Sequence, residues 1–295
     1  MTGDMNDQDL TRRPSVPAKL PLPCNADTLQ PNRPRRKRLA ARLLVVLAAT
    51  ASLGGCDSMP RSAVQQIRHA QEAYDAGRYA RVDQLVSPVI AKHGSEPLIA
   101  EALYLRALGR LKVGNQPGAE GDLRRALAIS RDRQTTTLIE TQMGHLRFAD
   151  DDYERAMTHY RIAVRNLPTD AQADELRFCY GVSQLRAGRF ADGRATLNRL
   201  AHANPTGPYV ESARRKAAWP HDYLVVQSGA FAESSAAGAE ARRWMGRGIS
   251  TNITTSRSAG QTLYLVHLGR YSTFASGLFA LREILAESPD AFLVP

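Results

Sequence analysis

Little in this 295-residue chain invites a catalytic reading. Cysteine occurs three times, at Cys24, Cys56 and Cys179, too few and too scattered for a disulfide framework, a zinc site or a redox pair. Aromatic residues make up 6%, which argues for helices packed through alanine and leucine rather than for an aromatic-rich sheet as the main core. No HExxH, GxSxG or phosphate-binding glycine loop is present, and the seven histidines are dispersed. No enzymatic activity, cofactor or metal is therefore expected. The densest carboxylate cluster, "ADDDYERA" at 149–156, reads as a helix start, because acidic residues favour helix N-termini. Charge of one sign is also scarce. The formal +10 is partly a property of residues 1–55, with 9 Lys and Arg against 4 Asp and Glu; residues 56–295 carry 30 against 25. Without a dense basic stripe, no nucleic-acid partner is expected. No apolar run reaches the ~20 residues needed to cross a bilayer.

What is present begins with "RPRRKRLAARLLVVLAATASLGGC", from Arg33 to Cys56. Six basic residues from Arg33 to Arg42 precede an apolar stretch at 43–51 and the small-residue site Leu53-Gly54-Gly55, which is the order of a secretory signal over 33–55. The "LGGC" that closes it resembles a bacterial lipobox. That resemblance implies cleavage before Cys56, a diacylglyceryl thioether on its sulfur and an acylated amino terminus, followed by a short tether at 56–62. Several acyl chains anchor stably, since each buried CH₂ contributes ~0.8 kcal/mol. The alternative is a buried cysteine closing a hydrophobic helix. A lipid at Cys56 places the chain on the periplasmic side of a bacterial envelope; Asp57 favours the inner membrane, with the outer membrane as the other possibility. Residues 1–32, polar and proline-rich, read as a disordered leader and suggest a translation start downstream of Met1.

Between residues 63 and 218 the chain repeats itself. Gly77, Gly114, Asp151 and Gly188 occupy turn-like sites 37 residues apart; Tyr79, Gln116, Tyr153 and Phe190 follow two residues later, and Ala70, Ala107, Gly144 and Gly181 precede by seven. Small residues at a fixed distance from a turn suit paired helices in close approach, so the expected unit is a helical hairpin stacked into an α-solenoid. The third copy, with Gly144, Tyr153, Ala156, Tyr160, Ala163 and Pro168, is similar to the tetratricopeptide repeat. Cys179 then reads as a small buried hydrophobe. The resemblance implies a concave surface made by the first helix of each pair, with Arg106, Arg110, Arg147, Gln184 and Arg186 as exposed candidates for binding a protein partner.

After Pro220 the texture changes. "DYLVVQSGAF", "ISTNITTSR", "TLYLVHLGRY" and "AFLVP" read as strands, and 233–246 and 273–288 as amphipathic helices. The order βαββαβ predicts a four-stranded sheet backed by two helices, a ferredoxin-like arrangement over 221–295. Period-two alternation puts Val226, Tyr264, Val266 and Leu268 on the helix side and Gln227, Leu265 and His267 on the other. Phe231 and Tyr271 read as core, and Trp244 as helix packing whose indole N–H needs a partner. The wording "YLVVQSGAF" followed by "LYLVHLGRYSTFASGLFALREIL" resembles the SPOR domain. That family implies binding to peptidoglycan glycan strands stripped of stem peptides at the division septum, without catalysis. Gln227 matches a position tied there to glycan binding, while Arg257, Arg270 or His267 could meet the lactyl carboxylate. The function expected is that of an envelope lipoprotein that binds denuded glycan and scaffolds a protein partner in division or wall remodelling. Its rival is an assembly or secretion scaffold whose SPOR-like module no longer binds glycan.

Overall fold

The computed structural model of the chain describes residues 59–166, 171–258 and 260–295. Cys56, the signal at 33–55, the leader at 1–32 and Pro168 lie outside the described residues. Four helical hairpins follow one another: α1 (Arg61–Asp75) with α2 (Tyr79–His93), α3 (Ile99–Lys112) with α4 (Gln116–Ile129), α5 (Arg133–Ala149) with α6 (Tyr153–Asn166), and α7 (Ala171–Arg186) with α8 (Phe190–Ala203). A short α9 (Val210–Ala217) closes the array. No helix among the described residues is long and apolar enough to cross a membrane.

The hairpin turns obey one local rule. Gly77, Gly114, Asp151 and Gly188 all have positive φ, at 73°, 83°, 59° and 78°. A left-handed residue ends a helix because it lets the next N–H reach back five residues to an orphaned carbonyl. That bond recurs at the same spacing: Arg78 to Ala73, Asn115 to Arg110, Asp152 to Arg147 and Arg189 to Gln184, at 2.8, 2.8, 2.9 and 2.8 Å. Asp151 and Asp152 of "ADDDYERA" are used locally, while Asp150 also accepts from Gln116 of α4 at 3.1 Å. Asp152 Oδ1 accepts from Arg155 N at 3.2 Å at the start of α6, and Asp151 Oδ1 accepts from the Tyr153 hydroxyl at 2.5 Å.

Within each hairpin the small residues permit contact. Ala70 and Ala107 are fully buried, whereas a Cβ on Gly144 would lie 2.5 Å from the Tyr160 ring and one on Gly181 would lie 2.7 Å from Leu197. Cys179 is fully buried in α7.

The C-terminal module comprises β1 (Leu224–Phe231), α10 (Ser234–Met245), β2 (Thr251–Ser258), β3 (Gln261–Tyr271), α11 (Phe274–Leu285) and β4 (Phe292–Val294). The strands form one antiparallel sheet in the order β2-β3-β1-β4. Val226, Val266 and Leu268 pack with Ala237, Ala241, Trp244 and Ile284, and Phe231, Tyr264 and Tyr271 border this core, as alternation predicts. The Trp244 indole N–H donates to Glu240 Oε1 at 2.6 Å. A bulge at Ser228 shifts the register, so that Gln227 pairs with His267 and Gly229 with Val266. The bulge keeps Phe231 on the core side although Gln227 faces away from it.

Array and module belong to one compact unit, and contacts at Arg186 and Arg194 are among those that join them. The Arg186 guanidinium lies 5.4, 5.1 and 5.3 Å from the ring centroids of Phe148, Tyr153 and Phe274, the last being the first residue of α11. It also donates to the Tyr153 hydroxyl at 2.6 Å. Arg194 of α8 meets Asp222 at 2.8 Å, just before β1.

Candidate functional site

The face of the sheet away from α10 and α11 carries a row of side chains at one register level, three of them polar. Asn252 of β2 lies opposite His267 of β3, which lies opposite Gln227 of β1, which lies opposite Phe292 of β4. Alternation had put Gln227 and His267 on this face. It had also placed them in solvent, and there the structure differs: Gln227 is 9% exposed and His267 5%. Gln227 is flanked on both sides by neighbouring strands, and the Trp219 ring, from the segment entering β1, packs edge-on against His267 at 5.7 Å. Trp219 is held there by its indole N–H, which donates to the Tyr223 carbonyl at 2.9 Å. Burial, with His221 adding to it, pushes the His267 imidazole down to about 4, and its Nε2 has no hydrogen-bond partner among the described residues. The ring is neutral at physiological pH and cannot serve as the cation for a carboxylate.

Beside this row a pocket of about 260 Å³ opens, lined by His221, Tyr223, Asn252, His267 and Arg270 among others. His221 stacks on Tyr223 with centroids 4.6 Å apart, and the exposed Arg270 guanidinium sits 5.1 Å over the opposite partner, the Tyr223 ring. The pocket thus combines an aromatic face, a carboxamide, a neutral imidazole and one guanidinium. Of the four residues expected to bind glycan, His267 and Arg270 line it and Gln227 pairs in register with one of them. Arg257 does not: it pairs with Thr262, five residues along β2 from Asn252, roughly 17 Å at strand rise. It is exposed at the far end of the hairpin. Asn252, His221 and Tyr223 were not anticipated, although Trp219, His221 and Tyr223 alternate with period two, a signal of one-sided packing.

The expected partner surface on the array is corrected more sharply. Arg106 is 8% exposed and forks onto Asp122 of α4, Nε to Oδ2 at 2.9 Å and Nη2 to Oδ1 at 2.7 Å, with Nη1 on Ser87 Oγ of α2 at 2.9 Å. Arg110 bridges Asp122 and Asp83 at 2.8 and 3.1 Å. Arg147 pairs with Glu120 of α4 and with Asp150. Arg186 is enclosed by three rings, and Gln184 is 6% exposed. Arg106, Arg110 and Arg147 reach the second helix of the preceding hairpin, where the long arms of arginine tie neighbouring hairpins together. None of the five is an exposed side chain on a concave surface.

No family model matches the chain, and no curated protein matches it.

Proposed function

We propose that this protein is an envelope lipoprotein, anchored through Cys56, whose C-terminal SPOR-like module binds peptidoglycan glycan strands while its tetratricopeptide-like array scaffolds a protein partner. The observation that supports the glycan reading best is the pocket at Tyr223, Asn252 and Arg270. An amino sugar with a lactyl ether presents an apolar ring face, amide groups and a carboxylate. An aromatic plate, a carboxamide and a guanidinium answer these in turn, and the guanidinium forms the stronger, charge-assisted bonds. His267, neutral, would accept or donate a hydrogen bond at the pocket wall, and Gln227 would set the strand beneath it. Glycan binding requires no bond making, which agrees with the absence of a catalytic motif.

A second reading has its own support. Trp219 packs on His267 and is held by Tyr223, so part of the sheet face is already occupied by the chain itself. On that reading the module is a SPOR-like fold devoted to assembly in the envelope.

Sedimentation with sacculi separates the two. The chain from Asp57 onward, which keeps every described residue, is mixed with intact and with amidase-treated peptidoglycan. Recovery from treated sacculi alone, weakened by Arg270→Gln at unchanged melting temperature, is the expected result. Equal recovery from both, or none from either, would overturn the glycan reading and leave the scaffold.

A further inference from the structure

The array contains a ladder with a missing rung. Arg110 reaches back 27 residues to Asp83, and Arg147 reaches back 27 residues to Glu120. Each pair joins the first helix of one hairpin to the second helix of the hairpin before it. Thirty-seven residues on, the same positions hold Gln184 and Met157, which cannot form an ion pair. The groove at this third junction is a pocket of about 500 Å³ between α6, α7 and α8, and both residues line it. Gln184 Oε1 is buried and has no hydrogen-bond partner among the described residues. A buried amide oxygen left unpaired costs about 1–3 kcal/mol, and among the described residues no side chain answers Gln184 Oε1 as the arginine–carboxylate pairs do in the other two grooves.

The walls carry Arg161, Arg189 and Arg199 against Glu154 and Asp192, an excess of one positive charge. Arg161 of α6 forms no ion pair among the described residues, and Arg199 of α8 contacts only the Ala195 carbonyl and Thr196 Oγ1, both neutral, at 3.3 and 3.5 Å. Arg189 is already neutralised by Asp192 at 3.4 Å. Arg161 and Arg199 lie toward the C-terminal ends of two parallel second helices, on either side of Tyr180 and Gln184. We propose that this groove binds an acidic peptide segment of a protein partner, its carboxylates on Arg161 and Arg199 and its main-chain amides on the Gln184 carboxamide. This deepens the scaffold reading by naming the partner's chemistry, and it rests on that reading but not on glycan binding.

The test uses the chain from Asp57 onward with fluorescein-labelled hexaglutamate as probe, read by anisotropy. Binding that falls with added salt is expected. Arg161→Gln and Arg199→Gln should each weaken it about tenfold, the usual loss for one charge-assisted bond. Arg68→Gln, an exposed cation on α1, should change nothing. Met157→Glu combined with Gln184→Arg builds the third rung internally; it should abolish binding and leave the melting temperature unchanged or higher. All of these variants should still sediment with amidase-treated sacculi, which separates failure here from failure of the glycan reading. No binding of hexaglutamate, or equal weakening by Arg68→Gln, would overturn the proposal. Displacement of the probe by oligouridylate at matched charge would overturn it in favour of a polyanion without peptide character.

Discussion

Arg106 offers the cleanest separation between a recognition surface and an internal strut. Replacing it with alanine removes a two-pronged bond to Asp122, whose side chain is 4% exposed, and a third bond to Ser87. Removing one partner of a buried ion pair costs ~3–5 kcal/mol, because the other charge is stranded. Here Arg110 remains 2.8 Å from Asp122, so the stranding is incomplete and about 2–3 kcal/mol is expected. For a folded region of this size, ~1 kcal/mol moves the melting temperature by ~2–4 °C, so Arg106→Ala should lower it by roughly 4–12 °C. Urea titration of the chain from Asp57 onward measures the free energy directly. Arg106→Met with Asp122→Leu removes both charges and refills the volume, and it should fall within about 1 kcal/mol of the wild type. An Arg106→Ala variant that loses less than about 0.5 kcal/mol, the range of ordinary surface substitutions, would refute the strut and return Arg106 to the surface.

Gly144→Ala places a methyl group 2.5 Å from the fully buried Tyr160 ring, an overpacking that should cost ~1–3 kcal/mol in urea titration, while Gly121→Ala, with open space around it, should be neutral or stabilising. Burial pushes His145 down to about 4. Its folded value lies below the unfolded 6.5, so the unfolded chain takes up the proton first and stability is lost as pH falls from about 6.5 to 4, by up to ~3 kcal/mol for this one group. Comparing urea midpoints across that window, His145→Phe should flatten the wild-type slope; an unchanged slope would show that the histidine is not buried neutral.

How far the sequence could be read depends on the range of the physics. The turns at Gly77, Gly114, Asp151 and Gly188 were legible because a left-handed residue is a local requirement, satisfied by glycine or by an acid that tolerates positive φ. The faces of β1 and β3 were legible for the same reason, since alternation is built into the strand. Exposure was not. Period two assigns Gln227 and His267 to a face, but nothing in it says that Trp219 will fold over that face. The arginines failed similarly: Arg110 and Arg147 look solvated on their own helices, and only the stacking of hairpins turns them onto carboxylates 27 residues earlier. That interval was present in the sequence as Asp83, Glu120 and Met157 against Arg110, Arg147 and Gln184, a correlation between repeats that no single-helix reading examines.

Among the described residues, the ring and polar contacts that join array and module come from the later hairpins. Phe148, Tyr153 and Arg186 hold Phe274, and Arg194 continues the same interval by donating to the His221 carbonyl 27 residues on. The first two hairpins contribute none of these groups. Duplication or loss of one 37-residue unit among α1–α4 would therefore leave the joint intact while changing the distance between the first hairpin and the sheet. Span in this architecture comes in whole steps, like links in a chain, and a lineage could adjust the gap it bridges by counting repeats.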